Sequence, residues 1–280
     1  MYEILERKQL NDLVFALKIN APHVVLNAQP GQFVIVVVEE DGERIPLTIA
    51  DMDKKNGSVT IVVQAVGHTT IKLSQLKVGA FIQNILGPLG EEAPITGYKK
   101  VLAIGGGVGI APLFPQIKKL KEEGAVVESI LGGRSDELII FKEEFEAYSD
   151  HVYYATNDGS LGHQGFVTDV LAQLTQDQSQ EASPYDLVIA IGPLIMMKAV
   201  CDLTKEKGIK TNVSLNPIMI DGTGMCGGCR VNIGGETRFA CVHGPDFDGH
   251  LVDFNEAMSR QNMYKKEEHH QCRLEKEVSL

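Results

Sequence analysis

Three cysteines lie close together in the stretch "MIDGTGMCGGCRVNIGGETRFACVHG" (219–244): Cys226, Cys229 and Cys241, spaced C-x2-C-x11-C. Thiolates are soft ligands for zinc or for the iron of iron–sulfur clusters, and either centre takes four ligands. Two neighbours compete for the fourth place. His243, two residues past Cys241, would complete a Cys3His zinc site. Asp221, five residues before Cys226, would complete an iron–sulfur cluster with a ligand of the same formal charge as a thiolate but harder. Gly222, Gly224, Gly227 and Gly228 between these ligands let a loop wrap a cluster and turn its N–H groups to the sulfurs. On these residues alone the two readings stand level. Of the other cysteines, Cys201 in the helical run "MMKAVCDL" reads as a small buried hydrophobe, and Cys272 in a polar tail as an incidental thiol.

A second chemical signal is the glycine run in "VLAIGGGVGIAPL", where Gly105, Gly106, Gly107, Val108 and Gly109 join a buried-strand run to a helical one. Glycines there let the backbone approach a pyrophosphate, while the helix N-terminus offers N–H groups and partial positive charge. The G-x-G-x-x-G fingerprint is incomplete, because its last glycine is Ile110. Pro112 suits the first helical turn. A second glycine-proline turn, in "IGPLIMM", sets Gly192, Pro193 and Met196 after another strand-like run. Ligands of α/β sheets bind at the carboxyl ends of strands, so both loops are expected to face one crevice.

The elements that must position these residues change character along the chain. Before residue 97 the runs "FALKIN", "FVIVVVEE" and "SVTIVVQAV" are β-branched and bounded by Pro30-Gly31, Asp41-Gly42 and Asn56-Gly57, which predicts a small barrel or sandwich. From 97 to 215 strand runs alternate with helical ones, the pattern of a doubly wound parallel sheet. Residues 216–254 are glycine-rich and expected to be irregular. The segment 255–280 is strongly charged, with little apolar surface, and reads as a solvated helix or, in preference, as a segment that orders against another subunit.

Bulk properties narrow the partners. Apolar residues make up 44% and charged residues 22%, the balance of a globular protein, and the formal net charge of −11 argues against nucleic acid and anionic membranes. The longest uncharged runs are too short to span a bilayer. No signal peptide is visible, and clustered cysteines in an odd total of five favour metal binding over disulfides, so a cytoplasmic location is expected.

The motifs "RIPLTIAD", "VVQAVGHTTIKL", "GGGVGIAP" and "IGPLIMMKAV" occur in the order that resembles the ferredoxin–NADP reductase superfamily. With the cysteine segment added, the chain is similar to the electron-transfer subunits of dihydroorotate dehydrogenases. Asp221 stands where those subunits have their first cysteine, and in this it resembles the small subunits of NADH-dependent reduced ferredoxin:NADP oxidoreductases, also known as sulfide dehydrogenase subunits. The resemblance implies a ferredoxin reductase-like fold: an FAD-binding β-barrel over 1–96, an NAD(P)-binding α/β domain with a doubly wound parallel sheet over 97–215, and a [2Fe–2S] segment over 216–254. It implies that Asp221, Cys226, Cys229 and Cys241 hold the cluster.

For the flavin, it implies that Arg44 binds the FAD pyrophosphate, with Pro46 and Leu47 beside it, and that the Thr48 hydroxyl lies near flavin N5 as the catalytic contact. Val62, Val63 and Gln64 are expected along the isoalloxazine, and Gly67, Thr69 and Thr70 at a second phosphate-contacting turn. His68 reads as a loop residue, since hydride transfer to a flavin needs no protein base there. NAD(H), with NADP as the alternative, is expected across Gly105–Gly109 and Gly192–Pro193, near Met196; Arg134 and Ser135 could meet a 2′-phosphate that Asp136 and Glu137 would oppose. The implied activity is an electron-splitting oxidoreductase relay from NAD(H) through FAD and the cluster to a larger flavin and iron–sulfur subunit of a heterodimer, and through that complex to ferredoxin. The alternatives are a dihydroorotate dehydrogenase electron-transfer subunit and a zinc-binding module that senses nucleotide.

Overall fold

β-Branched runs cut by glycine turns build the first unit of the computed structural model, which describes residues 1–176 and 184–263. Its strands are β1 (Tyr2–Gln9), β2 (Val14–Asn20), β3 (Phe33–Val37), β4 (Arg44–Asp53), β5 (Ser58–Gln64), β6 (Phe81–Ile82) and β7 (Asn84–Leu89), with helices α1 (Pro22–Asn27) and α2 (His68–Gln75) in the connections. The sheet is antiparallel in the order β6-β1-β2-β5-β4-β3-β7. Its edge strands β6 and β7 are separated in sequence by Gln83 alone, so the sheet must curl until its edges meet. Alternate residues such as Phe15, Leu17, Val34, Ile61 and Val63 fill the barrel. Val14, Ala16, Ala50 and Val62 point outward and pack against the second unit.

Strand β4 changes partners halfway. Arg44–Thr48 pair with β3, whereas Ile49–Asp53 pair with β5. Pro46, which has no N–H to donate, sits in the half that β5 has left. The result is a notch between Arg44–Thr48 and Val62–Gln64.

The second unit comprises β8 (Lys100–Gly106), α3 (Ile110–Glu122), β9 (Val126–Gly133), α4 (Lys142–Tyr148), β10 (His151–Thr156), β11 (His163–Gln164), α5 (Val167–Leu174), β12 (Leu187–Ile191), α6 (Leu194–Glu206) and β13 (Thr211–Ser214). The strands lie parallel in the order β11-β10-β9-β8-β12-β13. The chain leaves β8 toward β9 on one side and reaches β12 on the other, so the switch point of the sheet lies at the end of β8. Residues of α3 and α4 cover one face and those of α5 and α6 the other.

The third unit is more ordered than its glycine content suggested. A hairpin, β14 (Arg230–Ile233) and β15 (Glu236–Phe239), turns at Gly234 and Gly235, both with positive φ. Then come α7 (Ala240–His243), β16 (Asp246–Asp248) and α8 (Phe254–Gln261). Strand β16 pairs antiparallel with β13, so the sheet of the second unit is mixed and its last strand comes from the cysteine segment. Helix α8 starts where a charged tail was expected. Asp253 caps it by accepting from Glu256 N at 2.9 Å, and Phe254 is buried in the core with Cys201 of α6. The rest of the tail, including Cys272, lies outside the described residues. Cys201 is the buried hydrophobe expected; burial pushes its thiol up to about 12. Among the described residues no helix is long and apolar enough to cross a membrane.

Candidate functional site

The notch of the barrel and the switch point of the sheet face one another across a cavity of about 960 Å3. From the barrel side Pro46, Leu47, Thr48, Val62 and Gln64 line it; from the sheet side Gly106, Gly107, Val108 and Gly109 do, with Gly192, Pro193 and Met196 from the turn after β12. The two glycine loops therefore share a crevice, as their positions after strands required. The units are held at this angle by the outward face of the barrel packed on α3 and by a Lys118–Asp51 ion pair at 2.7 Å.

The glycines of the loop do different work. A Cβ on Gly105 would lie 2.9 Å from Ile110 Cγ1, and one on Gly109 would strike Ile191 O, so these two allow α3 to pack against its own sheet. A Cβ on Gly106 would strike Met196 Sδ, and one on Gly192 would lie 2.7 Å from Met196 Cε. Gly107 differs: its φ is +57° and nothing stands within 4 Å of its missing side chain. This is the point where the backbone is bare toward the cavity, as a phosphate-cradling loop needs.

Other expected residues lie elsewhere. The alternation of β5 turns Val63 into the barrel interior, 1% exposed, while Val62 and Gln64 face out. Gly67, Thr69 and Thr70 form the start of α2, away from the cavity wall. Thr70 Oγ1 donates to Gly67 O at 2.9 Å and accepts from Gly67 N at 2.9 Å, so its hydroxyl serves the helix end. The Thr69 hydroxyl donates to the Glu43 carboxylate. Arg44, at the far end of the notch, donates from Nη2 to Asp221 O at 2.9 Å.

The cavity also has walls that the motifs did not reveal. Phe33 borders the notch, Asn157 stands beyond β10, and Phe166, 66% exposed, lies at the N-cap of α5, whereas Arg134, named above for a 2′-phosphate, stands in the wall beyond β9. An exposed aromatic in a turn carries no sequence signal until the fold shows it facing a cavity. Ser135 is not part of the wall, and the Lys142 ammonium pairs with Asp136.

The cysteine segment folds back on the barrel. A Cβ on Gly222 (φ +78°) would lie 2.7 Å from Ile35, so the loop seats directly on β3. Cys229 and Cys241 are buried with their Sγ atoms 3.2 Å apart, and Cys226 is exposed. The Asp221 carboxylate accepts from the Thr223 hydroxyl and from backbone N–H groups of Thr223, Met225 and Cys226 at 3.2, 3.0 and 3.4 Å. The Thr223 hydroxyl leads these donors in holding it below the usual carboxylate range. The Gly228 N–H holds the Cys226 thiol down, whereas burial, with Cys229 next, pushes Cys241 up to about 12.

The negative charge of Asp221 acts on both Cys226 and Cys241. His243 is placed differently: its Nδ1 accepts from Phe239 N at 3.1 Å, and its ring stacks on Phe239. Two residues apart on α7, Cys241 and His243 leave the helix in different directions. Among the described residues no three His, Cys, Asp or Glu side chains gather as they would around one metal ion. A carboxylate and two thiols on one glycine loop, with a third thiol on α7 whose sulfur lies beside that of Cys229, are donors suited to the iron of a cluster.

Comparison with known proteins agrees with this division. Residues 5–93 match the oxidoreductase FAD-binding domain, 103–202 the oxidoreductase NAD-binding domain, and 216–253 the iron-sulfur cluster binding domain of dihydroorotate dehydrogenase B. A solved structure of the NADH-dependent reduced ferredoxin-NADP oxidoreductase, studied for flavin-based electron bifurcation, aligns with TM-score 0.88 and 43% identity over 95% of this chain and 94% of that one. The dihydroorotate dehydrogenase B (NAD(+)) electron transfer subunit homolog of Thermotoga maritima is 44% identical over 95% of this chain and 92% of its own length. The corresponding subunit of Shouchella clausii is 35% identical over 79% of this chain and 85% of its own. The fold and these matched domains define a flavoprotein oxidoreductase of the ferredoxin–NADP reductase type. Within that class the chain belongs to the family of dihydroorotate dehydrogenase B-type electron-transfer subunits and the NADH-dependent ferredoxin:NADP oxidoreductase chains related to them. It is an electron-transfer subunit linking NAD(H), FAD and an iron–sulfur domain.

Proposed function

We propose that this chain is the small subunit of a heterodimer of the NADH-dependent reduced ferredoxin:NADP oxidoreductase kind, with a [2Fe–2S] cluster on Asp221, Cys226, Cys229 and Cys241. The observation that carries the reading is the continuity of three sites along β4. Its Pro46–Thr48 segment lines the cavity opposite the glycine loop, and its Arg44 end touches the cysteine loop. Thr48 and Arg44 are four residues apart on a strand, about 13 Å. An elongated dinucleotide fits that spacing, with its ring in the notch and its diphosphate toward Arg44 and the start of α2.

FAD supplies the exchange between a two-electron hydride partner and a one-electron iron–sulfur partner. The chain's own residues bind and orient. Thr48 offers a hydroxyl to the ring edge, Val62 and Gln64 bound the notch, and Arg44 brings a planar guanidinium suited to diphosphate. The bare backbone at Gly107, with the N-terminus of α3, receives the nicotinamide nucleotide, taken as NAD(H). Met196 packs under both glycine turns and keeps them in register. From the cluster, electrons would pass to a larger flavin and iron–sulfur subunit that exchanges with ferredoxin and NADP.

The test is a visible spectrum of protein purified without oxygen, followed by NADH addition and co-purification from native extract. Flavin bands with a reducible cluster shoulder, bleached by NADH, support the relay. A colourless zinc protein refutes it. Capture of a dihydroorotate-oxidising partner would replace the proposed complex by the related one.

A further inference from the structure

Asp246 is buried where the three units meet. It opens β16 directly opposite Ser214 of β13, so the two side chains share one face of the sheet. From α3, Gln116 Nε2 donates to Asp246 Oδ2 at 3.4 Å, and the barrel turn at Gly31 closes over the same oxygen, to which a Cβ on that glycine would come within 2.6 Å. Ser214, directly across the strand pair, is the nearest hydroxyl and helps hold the carboxyl down, while Oδ1 has no hydrogen-bond partner. Among the described residues no charged group faces this carboxyl. Helix α3 presents the neutral Gln116, β13 presents Ser214, and the turn at Gly31 and the segment at Ala93 present backbone and a methyl group. Glu92 and Lys119 pair with each other nearer the surface, at 3.5 Å, and Asp248 accepts from His250 N. Burial therefore pushes the Asp246 carboxyl up to about 7.

Ser214 and Pro245 also line the interdomain cavity. Arg134 is the one ionisable residue among the described residues of its wall, and a guanidinium keeps its proton. The wall thus offers no group that exchanges a proton near neutral pH, and a buried acid stands behind it, paired across the strands with Ser214 of the wall.

We propose that Asp246, acting through the Ser214 hydroxyl, exchanges the proton that accompanies electron flow through this cavity. The inference rests on the relay reading above. With both cofactors bound, NADH would give the flavin a hydride, two electrons with one proton, and leave as NAD+, so that no further proton would be needed. Were those electrons to go on singly to a cluster held by Asp221 and the three cysteines, the hydrogen that arrived as hydride would have to leave as H+. The Ser214 oxygen takes that proton as its own hydroxyl proton passes to the Asp246 carboxylate, which becomes the carboxylic acid. In the opposite direction the same pair returns it. A group that titrates near the working pH serves both directions. Asp246 touches no reacting atom; it is a proton store reached through Ser214.

The experiment uses the flavin-loaded full chain, wild type, Asp246→Asn and Ser214→Ala, handled without oxygen. Infrared titration of the wild type should show a carboxylic-acid C=O band, shifted in D2O, that disappears as pH rises through about 7. Asp246→Asn should lack that band and Ser214→Ala should keep it. In stopped flow, dithionite-reduced protein mixed with a soluble one-electron oxidant should release flavin electrons faster as pH rises through the same range. In both variants this inflection should vanish, and the ratio of reoxidation rate to NADH-reduction rate should fall about tenfold or more at pH 8. Either variant keeping the inflection at full FAD occupancy overturns the proposal. If Asp246→Asn does not fold, Ser214→Ala decides. Failure of NADH to reduce wild-type flavin would sink the relay reading separately, because the proton measurement starts from dithionite.

Discussion

The Arg44 guanidinium donates to the backbone carbonyl of Asp221 at 2.9 Å, across 177 residues of sequence. A barrel side chain expected at a flavin diphosphate therefore also steadies the loop that carries the first candidate iron ligand. With Gly222 seated on Ile35, it makes the cysteine segment a neighbour of the barrel notch.

Arg44→Ala should accordingly affect two centres. A charge-assisted hydrogen bond is worth roughly 1.5–3 kcal/mol, so FAD affinity should fall about tenfold or more. Iron should remain at purification but be lost faster to a chelator, because its loop has lost a tether. Flavin retention on dilution and iron release over time measure the two effects. Wild-type values for both would remove Arg44 from either role.

Gly107→Val would place a branched side chain at a left-handed φ of +57° and into open cavity. We expect NADH no longer to bleach the flavin rapidly, while dithionite still reduces flavin and cluster. Stopped-flow reduction by NADH at the wild-type rate would show that the loop is only a turn.

Asp221→Ala should make the cluster labile, Asp221→Cys should keep it with a shifted potential, and His243→Ala should leave it intact. Iron content and the reduced-state EPR spectrum compare the three. Cluster loss in the His243 variant, with both Asp221 variants unchanged, would transfer the ligand to His243. A further sign is built into Asp221. Its own backbone donors already stabilise the carboxylate, so alanine removes a preorganised anion rather than a flexible one.

Stability should depend on pH through Asp246. Its folded value, about 7, lies above the ordinary carboxylate value, so between these the folded chain binds a proton that the unfolded chain does not. Stability attributable to this group falls as pH rises across that window and levels off above about 7, a cost on the order of 4 kcal/mol at most. Asp246→Asn should flatten that slope in the flavin-free chain. Thermal unfolding at a series of pH values gives the comparison, and an equal slope in both proteins would mean that the carboxyl ionises freely.

Much of this arrangement was legible because it is local. β-Branched runs and glycine turns gave the barrel strands, and "VLAIGGGVGIAPL" gave β8, its loop and α3 almost to the residue. What escaped depends on contacts between distant segments. Nothing near Val63 says that β5 turns it inward while Val62 and Gln64 face out, until the barrel exists. Ser214 and Asp246 become a pair only through the register of β13 with β16, and that strand lies in a glycine-rich stretch with no strand-like run. Phe254 looked like the end of a segment because its polar followers mask the three-to-four-residue spacing of Phe254, Ala257 and Met258 that seats α8 on the core.

The pairing of β16 with β13 also bears on how separable these units are. Matched as three successive domains, they invite the idea that the last could be trimmed or exchanged. Yet a chain ending after Leu215 would leave the N–H and C=O groups along one side of β13 without partners, and Val213 without Phe247 across from it. An uncovered edge of that kind recruits strands from other molecules and ends in aggregates. The cysteine segment is therefore a retaining wall of the nucleotide sheet, and any shuffling of these modules has to carry a replacement edge strand with it.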